Sequence, residues 1–278
     1  MKKRPHFPDL SVKCIIAGEN VMQLGPISKS QFEHIVTEMD ANGYAVLPDV
    51  FSTAEIAEAR RFVEDEVARH EGQYFSFIGR EPVTGTLFER IGDLSWFRDL
   101  LADLSAHVLG RKVSPGAPFQ VLRVVAGETG LGQSMLFHYD AYVITALVPV
   151  AIPQNSGEPR GDLILYPQLR SIRSNVVANV LEKAVMQNRV AWNVMATKLM
   201  QRLFKAKVLK MEPGNIYFFR GYQSLHANEP CLPSSLRATA LYHFGDPYEN
   251  NALTVFIQRV RKWREARKAR ACLDQSRN

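Results

Sequence analysis

The 278-residue sequence has little cysteine. Cys14, Cys231 and Cys272 are odd in number and far apart, which argues against a disulfide framework, lacks zinc-site spacing and suits a reducing compartment. Long hydrophobic runs are missing as well. The longest, Ala141 to Ile152, is too short to cross a bilayer and contains Pro149. The basic start Met1-Lys2-Lys3-Arg4 is not followed by a signal-peptide apolar region, because Pro5, Pro8 and Asp9 interrupt it. These absences lead us to expect a soluble, cytoplasmic protein. One stretch lacks acid altogether: from Lys183 to Met211 there are seven basic residues and no Asp or Glu. What is plentiful is apolar side chain, 46% of residues, enough for a sizeable core and against global disorder.

The patterning divides the chain into a mainly helical part, 1–118, and a strand-rich part, 119–250. Residues 1–27 read as an irregular arm with one short strand at Cys14–Ala17. Ser28 or Ser30 can cap a helix from about Gln31 to Ala41, with Phe32, Ile35, Val36 and Met39 at helical spacing and Asn42-Gly43 as its stop. Tyr44 to Pro48 reads as a strand. Ser52 or Thr53 caps a second helix, Ala54 to about His70, with Ile56, Ala59, Phe62, Val63 and Val67 facing inward. A third helix runs from Trp96 to Leu109. From Phe119 onward short strands are expected at Phe119–Ala126, Leu136–Asp140, Tyr142–Val150, Asp162–Tyr166, Lys207–Met211, Asn215–Arg220 and Arg237–Phe244. Gly127, Gly161 and Pro213-Gly214 punctuate them. Many short strands with such turns suggest a jelly roll or barrel. A helical insertion over 175–206, with Trp192, Met195, Leu199 and Leu203 on one stripe, interrupts the strands. A basic helix, Leu253 to Ala271 within 251–278, ends the chain.

Phe137-His138-Tyr139-Asp140 carries the chemistry. On an extended strand, residues two apart share a face, so the His138 imidazole and the Asp140 carboxylate can grip one metal ion. His226 is the candidate third ligand. Two His and one carboxylate leave coordination positions open, as in non-haem Fe(II) sites. Alone, His-x-Asp is a weak signal, equally readable as a hydrogen-bonded pair in a turn. The ordered set is stronger: His138-x-Asp140, distal His226, then Arg237 eleven residues later. Arg237-Ala238-Thr239 puts a guanidinium and a hydroxyl on one strand face, a pair suited to a carboxylate deep in a pocket.

In these features the chain resembles the Fe(II)/2-oxoglutarate-dependent oxygenases, in particular the phytanoyl-CoA dioxygenase-like branch. The resemblance spans most of residues 30–250. It includes Asn42-Gly43-Tyr44-Ala45-Val46-Leu47-Pro48 between two helices, Gly161 to Pro167 after the first metal segment, and Pro213 to Phe219 before the distal histidine. It implies a β-rich α+β fold with a double-stranded β-helix (jelly-roll) core. It also implies iron on His138, Asp140 and His226, with the distal carboxylate of 2-oxoglutarate on Arg237, helped by Thr239. The reaction it implies consumes O₂ and 2-oxoglutarate, releases succinate and CO₂, and hydroxylates a substrate C–H bond. Desaturation, epoxidation and cyclisation use the same site. Asp140 argues against halogenation, because the family's halogenases lack the carboxylate. The nucleic-acid demethylase branch carries Arg-x₅-Arg, whereas His243 stands at the second position here, which argues against nucleic acid as partner.

Further candidates are Gln120 and Arg123, which can reach cofactor or substrate from an early strand, and Tyr142 and Asn228, which can orient ligands. Gln133 reads as a loop residue. His243 shares a strand face with Arg237 and fits either a pocket wall or a hydrogen-bonded core histidine. His34, His70 and His107 lack partners at metal spacing. The basic segments admit three readings: a solvated face, attraction of an anionic substrate such as a phosphorylated, sugar- or carrier-linked intermediate, or peripheral docking on anionic lipid. A non-catalytic jelly-roll binding module is the competing function.

Overall fold

A computed structural model describes residues 25–154, 159–172 and 188–248. The expected strand at Cys14–Ala17, the first part of the insertion and the C-terminal helix lie outside the described residues.

Two capped helices open the fold. α1 (Lys29–Asn42) and α2 (Thr53–Arg69) each begin with a capping box, in which the side chain of Ser28 or Ser52 accepts from the N3 backbone. The N3 residue, Gln31 or Glu55, reaches back to the cap. Gly43 ends α1 in the left-handed region at φ 84°, where a Cβ would also meet the Pro167 side chain at 2.3 Å. The expected inward stripes are in place: Ile35, Met39, Ala59 and Val63 are buried, with Phe32, Val36, Ile56, Phe62 and Val67 packed against them. After β1 (Tyr44–Leu47) and β2 (Phe75–Ile78) come α3 (Leu87–Asp93) and α4 (Ser95–Leu109). The remaining elements are β3 (Phe119–Val125), α5 (Gly127–Leu131), β4 (Ile144–Ala151), β5 (Leu163–Tyr166), α6 (Arg189–Met195), α7 (Lys198–Leu203), β6 (Lys207–Leu209), β7 (Ile216–Phe219), β8 (Leu225–Asn228) and β9 (Arg237–Phe244).

The strands form two antiparallel sheets, one of order β1-β7-β4-β9-β3-β2 and one of order β6-β5-β8. The chain passes between them: β3 and β4 in the large sheet, β5 and β6 in the small one, then β7 large, β8 small, β9 large. Between β3 and β4, residue His138 bridges to His226 on β8 and so extends the small sheet. This alternation winds the core into a double-stranded β-helix. Side-chain alternation sorts the layers. One face of the large sheet, including Leu122, Val124, Ala238, Ala240 and Tyr242, packs on the helices. The other face meets the small sheet through Leu147, Tyr217 and Phe219 against Leu163, Leu165 and Leu209. The outer face of the small sheet, Ile164, Tyr166, Leu225 and Ala227, carries Met195 of α6.

Two expectations are corrected. Leu136–Asp140 is not a strand; only His138 makes a bridge there. The insertion is not one helix with one stripe. Thr197 is extended and its side chain accepts from Met200 N, so a new helix starts there with its own phase. Met195 is buried, whereas Leu199 and Leu203 are 74% and 66% exposed.

Candidate metal centre

The interior faces of both sheets converge on three side chains. His138 and His226 are held together by their own backbones: each N–H donates to the other's carbonyl at 3.0 Å. Asp140 is tied by its N–H to the Gly221 carbonyl at 3.0 Å. Ligand atoms of His138, Asp140 and His226 all lie within 4.8 Å of one another, a group that can hold a metal ion. His138 Nε2 is 3.8 Å from Asp140 Oδ1, and His226 Nε2 is 3.6 Å from Asp140 Oδ2.

The ring nitrogens that face away are occupied. His138 Nδ1 donates to the Leu136 carbonyl at 2.8 Å and His226 Nδ1 to the Ser224 carbonyl at 3.0 Å. A proton on Nδ1 leaves Nε2 as a lone pair, the tautomer a metal needs, and backbone carbonyls are usual partners of metal-bound His. His226 Nε2 is a buried polar atom with no hydrogen-bond partner. Such an orphan is costly unless something absent satisfies it, and a cation does so.

The electrostatics agree. Desolvation by the surrounding protein, together with the charge of His226, pushes His138 down to about 4, although 38% of its side chain opens to solvent. The ring is therefore neutral at neutral pH. Burial would raise the Asp140 carboxyl, but His226, His243, His138 and the Thr145 hydrogen bond outweigh it and hold the group below the usual carboxylate range.

Asp140 is positioned by a short relay. Thr145 Oγ1 donates to Asp140 Oδ2 at 2.5 Å, and His243 Nδ1 lies 3.0 Å from the same hydroxyl. An ionised carboxylate only accepts, so the proton order is His243 Nδ1–H to Thr145 Oγ1–H to Asp140. Thr145 and His243 sit directly opposite one another on β4 and β9. Gly221 closes the other side: a Cβ there would lie 2.3 Å from both Asp140 Oδ2 and Thr145 Oγ1. Thr145 and Gly221 carry no motif signal, and only the folded geometry identifies them.

Arg237 lies at the start of β9 on the interior face and is 1% exposed. Its Nε donates to the Gly161 carbonyl at 2.7 Å, Nη2 to Asn228 Oδ1 at 2.9 Å and Nη1 weakly to Thr239 Oγ1 at 3.5 Å. Gly161, at φ 73°, must lack a side chain, because a Cβ would meet Arg237 Cδ at 2.5 Å. Of the five guanidinium N–H groups, one on each Nη remains, a pair spaced for a carboxylate. No described carboxylate forms an ion pair with Arg237, and burial, then the charge of Arg123, lowers its pKa to about 10. Asn228 and His226 share the interior face of β8, so Arg237 sits about 7 Å along that strand from the metal group.

Arg123 is opposite Thr239 on β3 and belongs to the same interior. Its Nη2 donates to the Gln133 carbonyl at 2.8 Å, while Nε is buried without a partner. Gln120 is not brought to this group. Three residues from Arg123 on a strand, it must face the other way, and its amide donates to the Phe88 carbonyl under α3. Tyr142 stacks on His243, with ring centroids 5.8 Å apart, and on Phe119 at 5.6 Å. Phe119, Tyr142, His243, Phe244 and Asp246 line a cavity of ≈ 310 Å³. His107 pairs with Asp40 and His70 stacks on Phe75, both away from the site.

No protein-family model and no curated protein sequence matches the chain. Solved structures do. HygX from Streptomyces hygroscopicus, with nickel and 2-oxoglutarate bound, is 12% identical over 81% of this chain and 89% of its own, with a TM-score of 0.51. EctD from S. alaskensis, with bound Fe, is 17% identical over 80% and 78%, TM-score 0.50. The epimerase SnoN, in complex with Fe³⁺, α-ketoglutarate and nogalamycin RO, is 14% identical over 78% and 85%, TM-score 0.50. At these identities the similarity speaks to architecture, and on that the topology and the comparisons agree: the core is a double-stranded β-helix.

Proposed function

We propose that the protein is an Fe(II)/2-oxoglutarate-dependent dioxygenase of the phytanoyl-CoA dioxygenase-like kind. The observation that carries this reading is the pairing of two features on one interior surface. One is a two-His, one-carboxylate cluster with its Nδ1 atoms locked and an orphaned Nε2. The other is a buried guanidinium with two N–H groups to spare. The metal and keto acid bound by HygX and by SnoN, and the iron bound by EctD, support it.

His138, Asp140 and His226 hold the iron in this reading. Arg237 and Thr239 hold the distal carboxylate of 2-oxoglutarate, a five-carbon diacid able to bridge the gap to the metal. When bound, the iron supplies activation of O₂ coupled to oxidation of the keto acid to succinate and CO₂. The chain's own residues do the rest. Thr145 and His243 fix the Asp140 carboxylate, leaving it ionised. The carbonyls of Leu136 and Ser224 fix both imidazoles. Asn228 and Gly161 aim Arg237. Arg123 adds a second cation that compensates negative charge on cosubstrate or substrate.

The ≈ 310 Å³ cavity beside His243 falls at the lower end of small-molecule sites and supports a small metabolite or a lipid- or sugar-containing, anionic or carrier-bound intermediate as substrate. Hydroxylation of an unactivated C–H bond is the outcome we assign. SnoN is an epimerase, so the architecture also hosts other outcomes. The test is succinate release from 2-oxoglutarate with Fe(II), ascorbate and O₂, together with a metal- and 2-oxoglutarate-dependent rise in melting temperature. A protein that shows neither is a jelly-roll binding module instead.

A further inference from the structure

Of eight large hydrophobic side chains exposed by 40% or more among the described residues, six fall in one short stretch. They are Val190 (74%), Val194 (45%), Leu199 (74%), Leu203 (66%), Phe204 (40%) and Val208 (46%). Val190 and Val194 are four apart on α6, and Leu199 and Leu203 four apart on α7, so each pair shares one side of its helix. Folding does not account for them. The inward contacts of these helices are made by other residues: Met195 is buried, and Trp192, Ala196 and Met200 pack against the outer face of the small sheet. A surface helix with a second, outward apolar side departs from the ordinary amphipathic pattern.

Among the described residues from 188 to 211, every charged side chain is basic. Lys198, Arg202, Lys205, Lys207 and Lys210 are all exposed, and no acid occurs between residues 183 and 211. Two acids border the stretch: half-buried Glu229, on which the charge of Lys198 acts, and Glu212, which pairs with Arg160 at 3.0 Å. The surface also abuts the metal-ligand segment. Trp192 Nε1 donates to the Phe137 carbonyl at 2.8 Å, next to His138, and Tyr166 OH donates to the Met195 carbonyl.

We infer that α6, α7 and β6 form a docking surface for an anionic membrane, with the apolar side chains entering the headgroup–acyl boundary and the cations meeting lipid phosphates. Apolar area plus basic residues is what an interfacial helix requires. Charge decides between occupants. A second copy meeting it through this same surface would bring like charge against like charge. The chain's own 253–271 segment, with seven basic residues to one acid, would do the same. An anionic lipid leaflet is complementary to Lys198, Arg202, Lys205 and Lys210, whereas Lys207 shares the opposite face of β6 with Leu209. Docking here would set the metal centre beside the membrane, which favours a lipid or lipid-linked substrate.

The test is co-sedimentation of the full chain with vesicles of phosphatidylcholine alone and of phosphatidylcholine with phosphatidylserine, compared with an L199D/L203D double variant. The expected result is binding to the anionic vesicles only. It should weaken by about fivefold for each cation replaced, and be largely lost at about 1 M salt, where the Debye length is ~3 Å. The double variant should lose about tenfold or more, as two leucines can no longer leave water. Its circular dichroism and its metal-dependent melting shift should stay those of wild type. Equal binding of wild type and variant, or no binding to anionic vesicles, overturns the inference. So does a dimer seen by sedimentation velocity that the double substitution dissolves, since that assigns the surface to a second copy. The melting shift with metal and 2-oxoglutarate reports on the dioxygenase reading separately, so either proposal can fail without the other.

Discussion

His138 and His226, 88 residues apart in the chain, hold each other by two reciprocal backbone hydrogen bonds of 3.0 Å. This single antiparallel bridge joins the segment after β3 to β8 and puts both Nε2 atoms against Asp140. Backbone pairing thus brings the candidate ligands together, and each can be tested in turn.

Replacing His138, Asp140 or His226 by Ala should each abolish succinate release and the metal-dependent rise in melting temperature. Isothermal titration with Fe(II) or Ni(II) checks this. An Asp140→Ala protein with full turnover would remove the centre from consideration.

Thr145→Val keeps the side-chain shape but deletes the hydroxyl between His243 and Asp140. Loss of an outer partner of a metal ligand weakens affinity by roughly 10–100-fold. Metal titration should show that loss, while Thr145→Ser should restore most of the affinity because it returns the donor.

Gly221→Ala forces a methyl group to within 2.3 Å of Asp140 Oδ2 and Thr145 Oγ1. Neither neighbour can swing away without breaking their mutual bond. We expect a destabilisation of about 1–3 kcal/mol, typical of overpacking, measurable by denaturant melts, with metal affinity falling in parallel.

Arg237→Lys preserves charge but not the fork. The KM for 2-oxoglutarate should rise by at least about tenfold, the usual scale for losing a charge-assisted hydrogen bond. Metal titration should be unchanged, since Arg237 touches none of the three ligands.

The metal-free protein should lose stability on acidification. His138 titrates near 4 in the folded state against 6.5 in the unfolded chain, so between those values the unfolded chain binds more protons. Stability therefore rises with pH across that window and is lost as pH falls from 6.5 to 4. Asp140, held below its ordinary range, extends the loss in the same direction at lower pH. Urea melts in chelator at pH 7, 5.5 and 4.5 read the sign, and a His138→Gln variant should flatten the upper part of the curve.

Local signals were legible in the sequence. Capping serines, helical stripes, the Gly43 stop and the period-two alternation of β9 are set by neighbours in the chain, and the candidate set His138, Asp140, His226, Arg237 rests on its order along the sequence and the family resemblance. The strand expected to pair His138 with Asp140 is absent, and the bridge to His226 and the Gly221 carbonyl bring them together instead. The failures have physical causes. Gln120 sits an odd number of residues from Arg123, so the pleat turns it toward α3. Leu199 and Leu203 follow the helical period of Met195, but the cap at Thr197 resets the phase and turns them outward.

What the sequence determined by itself is which groups are available: two imidazoles, a carboxylate and a guanidinium in that order along the chain, and an acid-free basic stretch. Those properties depend only on residue type and on distances along the chain. The tertiary structure alone decided which of them meet. Thr145 reaches Asp140 because β4 and β9 pair in one register, Gly221 is bare because two other side chains occupy its Cβ position, and Arg237 has N–H groups to spare because Gly161 and Asn228 use only part of its fork. Contacts between residues distant in the chain are set by sheet register and packing, which no local pattern encodes.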